Sequence, residues 1–302
     1  MITLTSIQLF SQLMLAWATV LYFSVLVQKF YPLVISGERP LRLIRPSLWT
    51  RIAAAILFVF LGGTTLLSNV LYLTGLADSI PLTISHRGVD NGNGVQNTIP
   101  AMAATIKEKP DYIEMDVQET KDHQFVVFHD KNFRKLTGRD KTTHDLTLSE
   151  AQDLQAVENG HVAPIASFDD YLAFANEHQQ KLLIEIKTNS SDSKEMVENF
   201  IEKYQQNILT HHHRIHSLDY DVVTELKEKA PKLYVSYVLP YNLVFPQTPA
   251  NAYTMEETTL TGDFVQRAHQ EDKDVYAWTV NDADSMDRMI SLNVNGIVTD
   301  DL

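Results

Sequence analysis

The chain predicts an α/β fold, a (β/α)₈ TIM barrel behind two transmembrane helices, and three observations carry that prediction. From Pro81 onward, short apolar β-prone runs alternate with amphipathic helical stretches to the end of the chain, the pattern of strands covered by helices. The stretch after the first strand, GVDNGNG at Gly88–Gly94, has neither the GxGxxG nor the Walker spacing, which counts against the runner-up, a doubly wound nucleotide-binding sheet. Finally, the first 80 residues hold two long runs without a charged side chain. Residues 1–80 are therefore read as a membrane region and residues 81–302 as the barrel domain.

The first apolar run covers residues 7–27 and ends at Gln28 and Lys29. The second, Ile52 to Leu76, has 25 residues and no charge; as a helix it would be about 37 Å long, more than the roughly 30 Å hydrocarbon layer requires. A signal peptide fits poorly, because no basic segment precedes the first run and a second run follows. Arg39, Arg42, Arg45 and Arg51 stand between the runs against one acid, Glu38. The positive-inside rule places that loop in the cytoplasm and everything after Leu76 outside.

The barrel domain is acidic, with 36 Asp and Glu against 20 Lys and Arg after residue 80. Such a domain will not seek nucleic acid or anionic lipid surfaces by charge. The absence of cysteine suits an exported domain. Its strands are expected near Thr83–His86, Tyr112–Val117, Phe125–His129, Leu182–Lys187, Arg214–Ser217, Tyr234–Leu239, Ala252–Met255, Val275–Thr279 and Gly296–Thr299. Helices are expected near Ile99–Lys107, Leu148–Leu154, Phe168–Glu177, Lys194–Tyr204, Tyr220–Lys229, Gly262–Glu271 and Asp284–Leu292. Nine runs are one too many for eight staves. Gln118–Gln124 is too short for a helical crossover, so either Phe125–His129 is hairpin-linked to its predecessor or Ala252–Met255 is not a stave.

The candidate site is concentrated between Ile84 and Asp130: ISHRG, QNTIPA, YIEMDV and FVVFHD. Side chains at i and i+2 of a strand share a face, so Glu114 and Asp116 project together. Two adjacent carboxylates repel unless a positive charge sits between them. A hard divalent cation with oxygen ligands, Ca²⁺ or Mg²⁺, meets that need better than zinc in a chain without cysteine. Glu185, in LLIEIK at Leu182–Lys187, offers a third carboxylate, so the predicted metal ligands are Glu114, Asp116 and Glu185. The run His211, His212, His213 and His216 looks like a metal cluster but has no partner at a supporting spacing, and reads as strand-edge or loop residues. Asp300 and Asp301 read equally well as a helix cap.

HRG at His86–Gly88, Asn97–Thr98, IEMDVQETKD at Ile113–Asp122, VVFHD at Val126–Asp130, IEIK at Ile184–Lys187, WTVND at Trp278–Asp282 and GIVTD at Gly296–Asp300 occur in this order. Over Pro81–Leu302 the chain resembles the glycerophosphodiester phosphodiesterase family, and with two spans in front it resembles that family's membrane-anchored bacterial branch. That branch often has further helices upstream, which leaves open that this chain is the C-terminal portion of a longer protein. The resemblance implies a barrel of the phospholipase-C-like phosphodiesterase type that uses a divalent cation. It implies His86 and His129 as catalytic groups, Arg87 and Lys187 as phosphate-contacting cations, and Trp278 along the substrate side. Gln96 stands where the family usually has Glu, which removes a negative charge from the first strand-to-helix loop.

These residue types suit phosphodiester cleavage on chemical grounds as well. The metal, Arg87 and Lys187 neutralise the phosphate oxygens, and two histidines near neutral pKa supply base and acid. The resemblance implies hydrolysis of a glycerophosphodiester, or of an envelope polymer containing one, to sn-glycerol 3-phosphate and an alcohol through a cyclic phosphate. The rival activities are lysophospholipase D chemistry on lipids and a non-catalytic, membrane-tethered binding or sensor barrel. An intact histidine pair with three carboxylates argues for turnover, since a binding protein has no need of both proton-transfer groups.

Overall fold

The computed structural model describes residues 80–241 and 244–302, with isolated helical positions between Phe10 and Leu67. The chain divides into two units, Met1–Asp78 and Ser79–Leu302. The uncharged runs at 7–27 and 52–76 lie largely outside the described residues. Among the described residues no helix is long and apolar enough to cross a membrane.

In chain order the strands of the second unit are β1 (Leu82–Ser85), β2 (Tyr112–Glu119), β3 (Phe125–Val127), β4 (Gln155–Glu158), β5 (His161–Pro164), β6 (Ala166–Ser167), β7 (Leu182–Ile186), β8 (Arg214–Ser217), β9 (Val235–Leu239), β10 (Ala252–Glu256), β11 (Asp274–Trp278) and β12 (Gly296–Thr299). Eight of them run parallel in the circular order β1-β12-β11-β10-β9-β8-β7-β2, and β1 closes the ring by pairing with both β12 and β2. The surplus strand is β3, which pairs antiparallel with β2 at Val117 and Val127. Its connection is a tight turn in which Thr120 N–H donates to the Gln124 carbonyl at 2.8 Å. Ala252–Glu256 is a true stave, paired in parallel with β9 and β11.

The helices are α1 (Ile99–Thr105), α2 (Arg134–Thr137), α3 (Leu148–Gln152), α4 (Phe168–Glu177), α5 (Met196–His211), α6 (Tyr220–Lys229), α7 (Gly262–Gln270) and α8 (Ala283–Ser291). Most begin where a short polar side chain accepts from the first-turn backbone: Thr98 for α1, Ser167 for α4, Asp219 for α6, Thr261 for α7 and Asp282 for α8. Thr147 and Glu150 form a capping box on α3. Each of the seven expected helices is present, and α2 is an addition to them. Among the described residues, Pro240–Asn251 between β9 and β10 contains no helix. Phe245 of this segment packs against the core, its ring centroid 5.4 Å from that of Tyr253, edge-on, and 4.9 Å from that of Phe264, at a tilt.

The barrel interior is filled by Ile84, Tyr112, Leu183, Ala252, Tyr276 and Val298, one from each of six staves. Gly296 makes room for this layer: a Cβ there would lie 2.8 Å from the Tyr276 ring and 3.2 Å from Ile84. At the start of β8, the Arg214 guanidinium lies 4.2 Å from the Tyr234 ring and 4.9 Å from the Tyr112 ring. The N-terminal end of the barrel is thus plugged. Space for chemistry remains at the C-terminal ends of the staves, where barrel enzymes place it.

Candidate active site

Alternation along β2 points Glu114 and Asp116 to one side, and the ladder register extends that side across two neighbours. Asp116 pairs with Glu185 on β7, and Glu185 with His216 on β8. Glu114, Glu185 and His216 each offer a ligand atom within 4.8 Å of the others. Asp116 is not in that group. Its Oδ2 accepts from Asn97 Nδ2 at 2.8 Å, and its Oδ1 lies 3.3 Å from Lys187 Nζ. Lys187 also donates to Glu185 at 3.0 Å, so its ammonium lies between two of the predicted metal ligands.

The residues present fit a divalent cation. His216 is only 3% exposed, yet neither ring nitrogen has a hydrogen-bond partner, and Nε2 stands 3.6 Å from Glu114 Oε1, too far for a good hydrogen bond. A buried imidazole with idle nitrogens beside two buried carboxylates is a donor set of two oxygens and a nitrogen without its acceptor. His216 was hidden in the sequence among its neighbours 211–213. The usable signal was stave position: Arg214 and His216 share a face of β8, and His216 is one residue from the strand's C-terminal end. His213, by contrast, is structural. Its Nδ1 accepts from Leu182 N–H at 2.9 Å and its Nε2 donates to Asn176 Oδ1 at 2.8 Å.

Charge is finely balanced here. Burial opposes ionisation of Glu114, but His216, His86 and Arg87 outweigh it and hold the carboxyl well below its ordinary range. Glu185 goes the other way, raised by burial and by Asp116 despite Lys187. Burial opposes the Lys187 charge, and Asp116 and Glu185 overcome that, keeping it cationic.

His86 follows β1 directly, and its Nδ1 donates to Asp300 Oδ1 at 2.8 Å. Asp300 therefore pairs with a catalytic candidate and is not a helix cap. It is fixed by Asn281, which accepts from Asp300 N–H at 2.9 Å and donates to Asp300 Oδ2 at 2.9 Å. Burial disfavours the imidazolium of His86, but the Asp300 hydrogen bond and the Glu114 charge prevail and raise its pKa. His129 is built alike: its Nδ1 donates to Asp130 Oδ1 at 2.9 Å. Gln118 holds that turn by donating to the carbonyls of Phe128 at 2.7 Å and Asp130 at 3.0 Å. In both pairs the carboxylate fixes the tautomer and leaves Nε2 for proton transfer.

Arg87 adopts a left-handed backbone (φ 53°, ψ 25°). That geometry aims its N–H at Glu114 Oε2, 2.8 Å away, and its carbonyl at Asn97 N–H, also 2.8 Å away. Gly88 follows at φ 67°, where a Cβ would strike the Tyr171 hydroxyl at 2.7 Å. Asn97 completes the loop by exchanging two hydrogen bonds with Asp116, one from its amide and one to its carbonyl oxygen. Trp278, at the end of β11, is partly exposed and donates from Nε1 to the Thr254 carbonyl at 3.3 Å. Asn97, Asn281 and Asp300 all lie within the sequence motifs. Only the fold shows that they act on Asp116 and His86.

A barrel with two carboxylate-paired imidazoles and two cations around a buried acidic cluster is built for acid–base chemistry on an anionic substrate. Residues 86–302 match the Glycerophosphoryl diester phosphodiesterase family, and the chain belongs to that family. A glycerophosphodiester phosphodiesterase from Caldanaerobacter subterraneus subsp. tengcongensis is 28% identical over 229 residues, covering 73% of this chain and 94% of that one. Two solved structures share the fold. A glycerophosphodiester phosphodiesterase from Parabacteroides distasonis superposes with a TM-score of 0.62 at 24% identity, covering 74% of this chain and 94% of its own. A phosphodiesterase from Oleispira antarctica, in complex with the product sn-glycerol-3-phosphate, gives 0.63 at 18% identity, covering 73% and 93%.

Proposed function

We infer that this chain hydrolyses glycerophosphodiesters to sn-glycerol 3-phosphate and an alcohol, with His86 and His129 as its proton-transfer pair. The observation that carries the reading is the span of the family match, residues 86–302, which contains every site residue from His86 to Asp300. A divalent cation, Ca²⁺ or Mg²⁺, would be held by Glu114, Glu185 and His216, with Asp116 beside them. Bound there, it would supply positive charge for the non-bridging phosphate oxygens. Arg87 and Lys187 would share that task, and Trp278 would flank the substrate.

His129 takes the proton of the glycerol hydroxyl next to the ester, that oxygen attacks phosphorus, and the bond to the departing alcohol breaks. His86, whose imidazolium is favoured by Asp300, gives its proton to the leaving oxygen. The roles then reverse: His86 takes a proton from water, the water oxygen bonds to phosphorus, and the cyclic ester opens as His129 returns its proton to the glycerol oxygen. Each proton transfer is worth about 10²- to 10⁴-fold in rate.

The full chain, purified in detergent, should release sn-glycerol 3-phosphate from at least one member of a panel of choline, ethanolamine and glycerol diesters, and excess EDTA should suppress that release. No sn-glycerol 3-phosphate from any diester, with Ca²⁺ or Mg²⁺ supplied, would refute the reading. For location we propose a multi-pass membrane protein with its barrel outside the cytoplasm. The support is the four arginines between two uncharged runs.

A further inference from the structure

The hairpin β4–β5 lies outside the eight staves, yet its tip reaches into the site. Asn159 and Gly160 turn it with φ of 51° and 78°, the left-handed pair of a tight hairpin. Glu158, the last residue of β4, grips Gln96 twice. Its Oε2 accepts from the Gln96 backbone N–H at 2.9 Å and its Oε1 from Gln96 Nε2 at 2.6 Å. Gln96 Oε1 in turn accepts from Arg87 Nη1 at 2.7 Å. Next along, Asn159 Nδ2 donates to the Gly94 carbonyl at 3.4 Å. The hairpin tip is therefore fastened to the loop that follows His86 and Arg87.

The amide orientation of Gln96 follows from its partners. A guanidinium cannot accept and a carboxylate cannot donate, so the amide oxygen must face Arg87 and the nitrogen must face Glu158. Gln96 is 9% exposed, so this relay runs where hydrogen bonds are strong and polarise one another. A glutamate at 96 would pair directly with Arg87 and would set a second carboxylate within hydrogen-bond distance of Glu158, an arrangement in which one of them must take up a proton.

We propose that Glu158 is a positioning residue for the reaction: through Gln96 it fixes the Arg87 guanidinium against the substrate phosphate. This rests on the reading of Arg87 as a phosphate-binding group. Substrate affinity depends on Glu158 although the carboxylate itself touches no substrate.

Steady-state kinetics on a hydrolysed glycerophosphodiester test this with Glu158→Ala, Glu158→Gln, Gln96→Glu and the double exchange Gln96→Glu/Glu158→Gln. Glu158→Ala should raise KM about 10-fold with kcat within about 3-fold of wild type, the mark of lost binding that ground and transition states share. Each exchange alone mismatches donors and acceptors and should also raise KM. The double exchange can rebuild all three hydrogen bonds and should return KM to within about 3-fold, a coupling that a merely structural role does not produce. An unchanged KM in Glu158→Ala and Glu158→Gln, or a double variant no better than the product of its singles, would overturn the proposal. Should Glu158→Ala not fold, Glu158→Gln and the double exchange still decide it. Arg87→Ala separates the two levels: if it leaves KM unchanged, the phosphate role of Arg87 fails. If it raises KM while the Glu158 variants do not, only the role of Glu158 fails.

Discussion

His86 can serve as an acid only if something stabilises its imidazolium against burial, and Asp300 is the group in position to do so. Asp300→Asn removes the charge and keeps the shape. It should lower kcat by about 10²-fold, and because it lowers the His86 pKa it should move the alkaline limb of the kcat/KM profile to lower pH. An unmoved limb would detach Asp300 from His86. His216 makes a second test, because its two buried nitrogens have no hydrogen-bond partner and stand beside Glu114 and Glu185. His216→Ala should weaken Ca²⁺ or Mg²⁺ binding by about 10-fold or more by calorimetry, and by more than Asp116→Ala, whose oxygens already face Asn97 and Lys187. Equal affinity in wild type and His216→Ala would remove it from the donor set. Glu114, Asp116, Glu185, His86, His129, Arg87 and Lys187 were legible in the sequence as candidates because each ends or follows a recognisable strand. His216 was not, because a crowd of histidines with no spacing rule hid the one that faces inward. Nor was Glu158, whose side chain reaches Gln96 across 62 positions of sequence.

Stave boundaries followed the apolar runs closely, since staves buried on both faces read as such runs with turn residues at their ends, whereas α5 continues to His211, seven residues past the expected Tyr204. The uncertain places were those where the period was broken. A three-residue strand such as β3 looks like a stave until its turn forces it antiparallel, and β4, β5 and β6 were not visible as strands at all. In the β9–β10 connection Phe245 packs against Tyr253 and Phe264. The junction of α5 and β8 yields a stability prediction. Burial, aided by His211 and His212, pushes His213 down to about 3, while its ordinary value is near 6.5. Below about pH 6.5 the unfolded chain takes up a proton that the folded one refuses, so this contribution is whole above that pH and is lost as pH falls toward 3. The slope is at most about 1.4 kcal/mol per pH unit. Denaturant unfolding between pH 4 and 7 should show that slope reduced in His213→Gln relative to wild type, and parallel curves would contradict it.

At the scale of the whole molecule, an acidic barrel unit follows a basic loop framed by two uncharged runs, and under the proposed topology the location of the barrel and the substrate pool it meets depend on the same four arginines. If the loop is cytoplasmic, the barrel faces outward toward extracellular diesters or envelope polymers. Protease added to intact cells or spheroplasts should then digest the barrel and spare the loop. Protection of the barrel until the membrane is breached would reverse the topology. Neither outcome alters the proposed chemistry, which rests on one geometric fact: two imidazoles, each fixed by its own carboxylate, stand at the open end of a barrel whose other end is plugged. The most direct test is the turnover of His86→Ala and His129→Ala on a glycerophosphodiester at saturating substrate and divalent cation. Each should lose about 10²- to 10⁴-fold in kcat with the melting temperature within about 2 °C of wild type. Turnover by both variants at the wild-type rate would contradict the account.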